Sequence, residues 1–389
     1  MFLPEALFDE FVKEYSSEYI IKKAVFNRLF SEYGLLVKSS GNVEFSLSYL
    51  YYFFLGKYLT DNYAENKDRI SSMVESSFAR HNSLTLIFTI HHANDISIID
   101  EILMHTMCAI DDVEPAKLTR EETSIFNDLV KHVIPEKLES ESEVDEERAR
   151  EREFRTEYEE KTSSSDSIEK LASKSEFLNQ VFQCNKNIEI LSQILKNKTG
   201  SLKKSKISEI VEIICDAGLR LASIALGDDR EIKACVQFVY EQYKNSEEYD
   251  DTKTDSYHLQ EIHKMVTFRC LIWVVSSIEK SVRAINKPEL KDIIVEIVKK
   301  KDSPAYNLIK YFYLLDTSCS FEHGLKDELE LMMKKYSHDK YIFLNRIISV
   351  RTLHYEKTHR IKESYRQSMF SLLGIKYKKV ELKSGMFKN

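Results

Sequence analysis

The stretch Leu35-Leu36-Val37-Lys38-Ser39-Ser40-Gly41-Asn42-Val43-Glu44-Phe45-Ser46 decides how the chain is read. Two short alternating runs flank Ser-Ser-Gly-Asn, residues that suit a tight turn, and together they predict a β-hairpin. It is the one good strand signal in 389 residues. Upstream, Leu7, Phe8, Phe11 and Val12 space as an amphipathic turn or two. Ser16-Ser17 offers an N-cap to a helix with Ile21, Val25, Leu29 and Phe30 on one face, stopped by Gly34. Helices followed by a single hairpin match a small winged-helix unit with Gly41 in the wing. An aromatic helix over 49–59 follows directly.

Composition narrows the rest. The chain has 9 Gly and 5 Pro, where average usage would give roughly 27 and 19. Repeated β architectures with many tight turns are thereby excluded. Nucleotide-binding α/β folds are disfavoured, because their phosphate loops need Gly for close backbone approach. Hydrophobic residues make up 43% and charged residues 31%, an ordinary balance that can build a core unaided. The formal net charge of −7 is unevenly placed. Residues 111–170 hold 20 Asp/Glu against 10 Lys/Arg, and 351–389 hold 10 Lys/Arg against 3 Asp/Glu.

Past the hairpin the chain reads as helix upon helix. Segments 69–78, 84–90 and 96–110 show spacing near 3.6, and Thr119 with Glu122 forms a capping box. Over 138–161 the apolar stripe is lost, predicting an exposed helix laced with ion pairs or a linker that ends at Ser163-Ser164-Ser165. Helical periodicity resumes near Ile168, with breaks at Gly200, Gly227, the acidic loop 247–255, Pro288, Pro304 and Gly324. The expected fold class is mainly α: a winged-helix-like unit at 1–60, a helical domain at 61–137 and a charged segment at 138–166. An irregular helical-repeat-like array at 167–375 and a basic tail at 376–389 complete it.

The search for chemistry finds no catalytic constellation. No Gly opens a Gly-x4-Gly-Lys-Ser/Thr loop, so the apolar run 107–110 before Asp111-Asp112 reads as a helix end rather than a magnesium-holding strand. Asp100-Glu101 after Ile98-Ile99 reads the same way. His91-His92 are adjacent, about 100° apart on a helix, and His258/His263 and His354/His359 are five apart, all poor spacings for a shared metal. Six scattered cysteines (Cys108, Cys184, Cys215, Cys235, Cys270, Cys319) form no C-x-x-C pair and read as reduced apolar residues. The expectation is a non-enzyme with no cofactor and no metal. The aromatics, such as Tyr49, Tyr52, Phe53 and Phe54 or Tyr311, Phe312 and Tyr313, read mainly as core, with protein-binding anchors as their other use. The N-terminus lacks a basic run and the apolar stretches are too short for a span of about 20 residues. A cytoplasmic location without membrane contact is expected.

One alternative class is a winged-helix nucleic-acid-binding regulator. Its phosphate contacts would come from Lys22, Lys23, Arg28 and Lys38, helped by the basic tail from Lys376 to Lys388. Asp9, Glu10, Glu14, Glu18 and Glu32 surround these cations and count against that reading.

The stretch Phe45-Ser-Leu-Ser-Tyr-Leu-Tyr-Tyr-Phe-Phe-Leu-Gly-Lys-Tyr-Leu59 resembles a segment of bacterial STAND NTPases of the NACHT type, at the junction of a winged helix and an aromatic helix. His91-His-Ala-Asn-Asp-Ile-Ser-Ile-Ile-Asp-Glu-Ile-Leu103 resembles the same family, as does Asn187-Ile-Glu-Ile-Leu-Ser-Gln-Ile-Leu-Lys-Asn-Lys-Thr-Gly-Ser-Leu202 followed by Gly218-Leu219-Arg220. The likeness spans residues 3–226. Family members carry an effector domain and a P-loop ATPase ahead of the winged helix, and this sequence contains neither. The resemblance implies the regulatory, ligand-sensing half of an antiphage defence protein, either a C-terminal piece of a longer chain or a short relative. Its implied partner is a phage-derived protein or the rest of the same NTPase.

Overall fold

A computed structural model describes residues 2–93, 97–131, 175–227, 229–246, 249–318, 321, 323–336 and 341–375. The charged segment 138–166, the tail 376–389 and Cys319 lie outside the described residues. The fold is mainly α, with one small sheet near the N-terminus. The chain divides into two compact units, Met1–His105 and Thr106–Asn389.

The first unit opens with strand β1 (Phe2–Pro4), helix α1 (Glu5–Glu18) and helix α2 (Lys23–Ser31). The hairpin β2 (Leu36–Ser39) and β3 (Asn42–Phe45) then forms an antiparallel sheet in the order β1-β3-β2. Leu36 faces Phe45 and Ser39 faces Asn42 across the hairpin, while Leu3 faces Val43 on the other side of β3. Ser40 and Gly41 both take positive φ (52° and 77°), the backbone a two-residue primed turn requires. This is the winged-helix arrangement, with the wing where the hairpin signal placed it. Two local expectations are corrected. Ser16-Ser17 does not cap α2, because α1 continues through both residues. The N-cap of α2 is Lys22, whose side chain makes no capping bond, and Ile21 lies outside the helix. Strand β1 has no signal of its own: three residues ending in Pro are too few for periodicity to show.

Helices α3 (Ser48–Asp61), α4 (Tyr63–Glu75) and α5 (Arg80–His92) complete this unit, and α6 (Ser97–Cys108) runs across the unit boundary. Helices α3 and α5 cross at backbone contact. A Cβ on Gly56 would lie 2.6 Å from the Thr89 amide nitrogen and 2.7 Å from the Phe88 carbonyl carbon. Thr60 Oγ1 donates to the Thr89 carbonyl at the same crossing (3.0 Å). The glycine in the aromatic signature is thus the residue that lets two helices touch.

The second unit continues with α7 (Asn127–Lys131), α8 (Glu176–Lys198), α9 (Lys204–Ile224), α10 (Asp229–Lys244) and α11 (Asp255–Ala284). It ends with α12 (Lys291–Lys301), α13 (Pro304–Thr317), α14 (His323–Lys335), α15 (Ile342–Thr358) and α16 (Glu363–Leu372). Residues 106–131, which the sequence groups with 61–105, fold with this array: the Ala116 amide donates to the Leu219 carbonyl and the Ala305 amide to the Lys117 carbonyl. The Thr119–Glu122 capping box forms reciprocally (3.3 and 3.4 Å). The turn it closes leads into a 3-10 turn at Ser124–Phe126.

Neighbouring array helices pack in pairs, α8 on α9, α9 on α11 and α10 on α11, and α13 touches α9, α11, α12, α14 and α15. Accordingly α13 is the driest element, with Tyr306, Leu308, Ile309, Tyr311, Phe312, Tyr313 and Leu315 all buried. Each buried phenol finds an acceptor or hydroxyl. Tyr311 bonds Thr352 (2.6 Å), Tyr313 donates to the Lys287 carbonyl (2.6 Å) and Tyr306 donates to Asp216 (2.7 Å). That satisfaction is what makes so much buried tyrosine tolerable. No helix among the described residues is long and apolar enough to cross a membrane.

Candidate functional site

The four cations singled out for nucleic-acid contact all fall in the winged-helix unit, but they are differently engaged. Lys22 and Lys23 open α2, are exposed, and meet no carboxylate among the described residues. Arg28 lies on the body of α2, where its Nε donates to Glu32 (2.6 Å) and its terminal nitrogen to the Tyr33 hydroxyl (2.5 Å). Its guanidinium also sits 5.1 Å from the centre of the Tyr33 ring. Lys38, on the edge strand β2, reaches Glu5 (3.4 Å) and lies 5.7 Å from the Phe30 ring centre. Positions 22, 23 and 28 point in widely separated directions around a helix of 3.6 residues per turn. No single basic face results, and α1 adds the exposed carboxylates Asp9, Glu10, Glu14 and Glu18 nearby.

The same two helices show an apolar excess. Val12 is the one buried residue of α1, and α2 has none. The two helices are held by an aromatic ladder. Phe8 meets Phe30 edge-on (5.6 Å between centres), Phe26 meets Phe11 and Tyr15 edge-on (6.3 and 6.1 Å), and Tyr15 stacks on Tyr19 (4.5 Å). Each such pair contributes about 0.5–1.5 kcal/mol beyond area burial. Outside the ladder, Leu7 and Val25 are exposed, Ile20 is 94% exposed, and the ladder's own Phe11 keeps an exposed edge. Ile20 also carries φ 54°, a left-handed backbone that costs an ordinary L-residue about 1–2 kcal/mol. A β-branched apolar side chain held in a strained conformation and turned to water has no role in this unit's own packing. The sequence offered no clue to it, because nothing in Tyr19-Ile20-Ile21 marks the helix end.

The remaining candidates resolve as architecture. Met107 and Cys108 lie in the last turn of α6, and Asp111-Asp112 lie in turns, so no strand presents those carboxylates. His91 and His92 close α5 with ring centres 5.3 Å apart, and His92 packs edge-on against Phe53 (4.6 Å). Burial, followed by the neighbouring His91 and Lys57, lowers the pKa of His92. His258 bonds the Asp250 carbonyl (3.0 Å) among Tyr243 and Tyr249, whereas His263 is exposed. His359 stacks on Tyr355 at 3.9 Å. Among the described residues no group of three or more His, Cys, Asp or Glu is arranged to hold a metal ion. Cys184 and Cys215 are buried, and burial pushes the Cys184 thiol up to about 12. Cys108 and Cys235 are exposed and Cys270 is half-buried, so the reading of the cysteines as apolar packing residues holds for Cys184 and Cys215 and not for Cys108 and Cys235.

Polar clusters in the array tie helices together. Glu212 and Asp216 on α9 take Lys300 and Lys301 from the end of α12 (2.9–3.3 Å). Arg351 on α15 pairs with Asp316 of α13, and Lys310 with Glu328 (2.7 Å) across α13 and α14. In each case the charges meet opposite charges, leaving no acid or base poised over an open space.

Models of protein families, curated protein sequences and solved structures give no match to this chain.

Proposed function

We propose that the chain is a non-catalytic regulatory module that senses another protein, acting as the ligand-sensing half of a STAND-type antiphage defence protein. The observation that carries this reading is the α1–α2 face of the winged-helix unit. Two of its four candidate phosphate contacts, Arg28 and Lys38, are taken up by Glu32 and Glu5, while Leu7, Phe11, Ile20 and Val25 stand exposed. A DNA-reading helix needs free cations along one side. A protein-docking helix needs apolar anchors inside a polar rim, which is what Leu7, Phe11 and the carboxylates of α1 supply. The partner in this reading is a phage-derived protein or the ATPase portion of the same defence system. The resemblance of residues 45–59 to NACHT-type proteins supports that assignment of class.

Two titrations test it. Calorimetry with Mg·ATP is expected to show no saturable heat and no hydrolysis. Anisotropy of labelled duplex DNA is expected to show no salt-dependent binding in the micromolar range. ATP turnover overturns the non-catalytic reading. Tight duplex binding that is lost on Lys22→Glu/Lys23→Glu replaces it with a nucleic-acid regulator.

A further inference from the structure

The corner of the array where α8 ends and α9 and α12 begin is basic, in a chain whose net charge is −7. Residues 196–206, from the last turn of α8 to the first of α9, hold five Lys and no Asp or Glu. Lys287 brings a second stretch against them. Its Nζ donates to the Leu195 and Lys196 carbonyls (3.2 and 3.1 Å) and to Thr199 Oγ1 (3.2 Å). Lys204 reaches Glu296 (3.1 Å), which sets the start of α9 beside α12. Residues 196–209 and 287–296 together carry seven Lys against four carboxylates. Two of those carboxylates are already paired, Glu296 with Lys204 and Glu209 with Lys206 (2.8 Å). Lys196, Lys203 and Lys291 are exposed and meet no carboxylate among the described residues.

A surface of this charge fits a polyanion, and its side chains favour one kind. Neither 196–209 nor 287–296 contains an aromatic residue, so the bases of a single strand have nothing to stack on. Glu289 and Asp292 flank Lys291 and oppose the continuous track of phosphates along a duplex, whose charge recurs every ~1.7 Å. All the cations are Lys and none is Arg. Lysines are point charges on flexible stems, suited to single carboxylates at varied spacing and not to bidentate phosphate forks. We infer that this corner of the array binds an extended acidic segment of a partner protein, with Glu or Asp side chains paired to Lys196, Lys203 and Lys291. The surface lies wholly within the second unit and does not depend on the winged-helix face.

Fluorescence anisotropy of a labelled poly-glutamate peptide, titrated with the full chain, tests this. Binding is expected in the micromolar range at low salt, weakening about tenfold or more between about 50 and 200 mM salt. Lys196→Glu/Lys203→Glu/Lys291→Glu is expected to lose about tenfold or more in affinity, with circular dichroism and thermal midpoint unchanged. Glu suits positions 203 and 291, the N-cap of α9 and the first residue of α12, so the fold tolerates the reversal. The milder Lys196→Gln/Lys203→Gln/Lys291→Gln is expected to lose about threefold. Lys22→Glu/Lys23→Glu, in the winged-helix unit, is expected to bind the peptide as wild type does. A chain that does not bind the peptide overturns the proposal. So does binding that both array variants leave intact, or that falls equally in Lys22→Glu/Lys23→Glu. Duplex DNA that displaces the peptide, and whose own binding is lost in the array variants, overturns it as well.

Discussion

The α1–α2 pair and helix α13 are both rich in aromatics, yet one is barely covered and the other is sealed. Helix α13 is touched by five other helices and buries eight of its fourteen residues. Helices α1 and α2 span twenty-three residues and bury one, Val12. The same residue types therefore play different parts. On α13 they close a core in which the phenols of Tyr306, Tyr311 and Tyr313 are all bonded. In the winged helix they form a ladder whose outer side is exposed. Aromatic content alone signifies core or contact surface only once the number of packed neighbours is known.

The largest expected contrast comes from truncating one ring in each region. Phe343, fully buried beside Phe126, is expected to cost about 3–5 kcal/mol as Phe343→Ala. Phe11→Ala is expected to cost less, about 1–2 kcal/mol, because nearly half of its area is already exposed and what it loses is its edge contacts in the ladder. Guanidinium unfolding followed by circular dichroism measures both. Equal costs would erase the distinction between the regions.

The two close helix crossings sharpen it. A methyl at Gly56 meets backbone of α5, which cannot step aside, so Gly56→Ala is expected to cost about 1–3 kcal/mol with no side-chain remedy. A methyl at Gly218 lies 1.8 Å from Ser281 Oγ and 3.0 Å from the Ser277 carbonyl. Gly218→Ala is thus expected to destabilise, and Gly218→Ala/Ser281→Ala to recover part of the loss. A double variant no better than the single one would mean that the carbonyl contact decides.

A smaller effect concerns acid. Burial alone would raise the Glu212 carboxyl, but hydrogen bonds from Lys301 and Lys300 and their charges outweigh it and hold the pKa below its ordinary 4.5. A carboxylate depressed in the folded state adds stability that is fully present above 4.5 and is lost as pH falls through the folded value. Glu212→Gln is expected to flatten the fall in array stability below that pH. An unchanged profile would mean that the α9–α12 tie carries no net stability. The least expected effect is at Arg28→Ala, whose exposed pairs with Glu32 and Tyr33 contribute within about 0.5 kcal/mol.

Much of the architecture was legible because it rests on local signals. The primed turn at Ser40-Gly41 shows in Ser39-Ser40-Gly41-Asn42, and the helices of the array show in 3.6 periodicity. The capping box at Thr119 and Glu122 is visible too, although it sits at a 3-10 turn. What stayed hidden depends on long-range contact. Strand β1 exists because β3 offers an edge to Phe2–Pro4. Residues 106–131 join the array through backbone bonds with Leu219 and Ala305 and through the Phe126–Phe343 contact, which no periodicity announces. The candidate site was half legible: Lys22, Lys23, Arg28 and Lys38 can be picked from the sequence, but their pairing with Glu32 and Glu5 cannot. Nor can the exposure of Ile20 or of Phe268 on α11, since an apolar residue reads the same whether it faces core or water.

We propose that the α1–α2 face, with Leu7, Phe11, Ile20 and Val25 exposed, docks a protein. Its most direct test is retention of proteins from phage-infected and uninfected bacterial lysates on immobilised wild-type chain and on Leu7→Asp/Phe11→Asp, with identification by mass spectrometry. A phage-encoded protein, or a P-loop ATPase partner, is expected to be held by wild type and lost from the variant, with the array's circular dichroism unchanged. A protein held equally by both chains, or retention of nucleic acid alone, would contradict it.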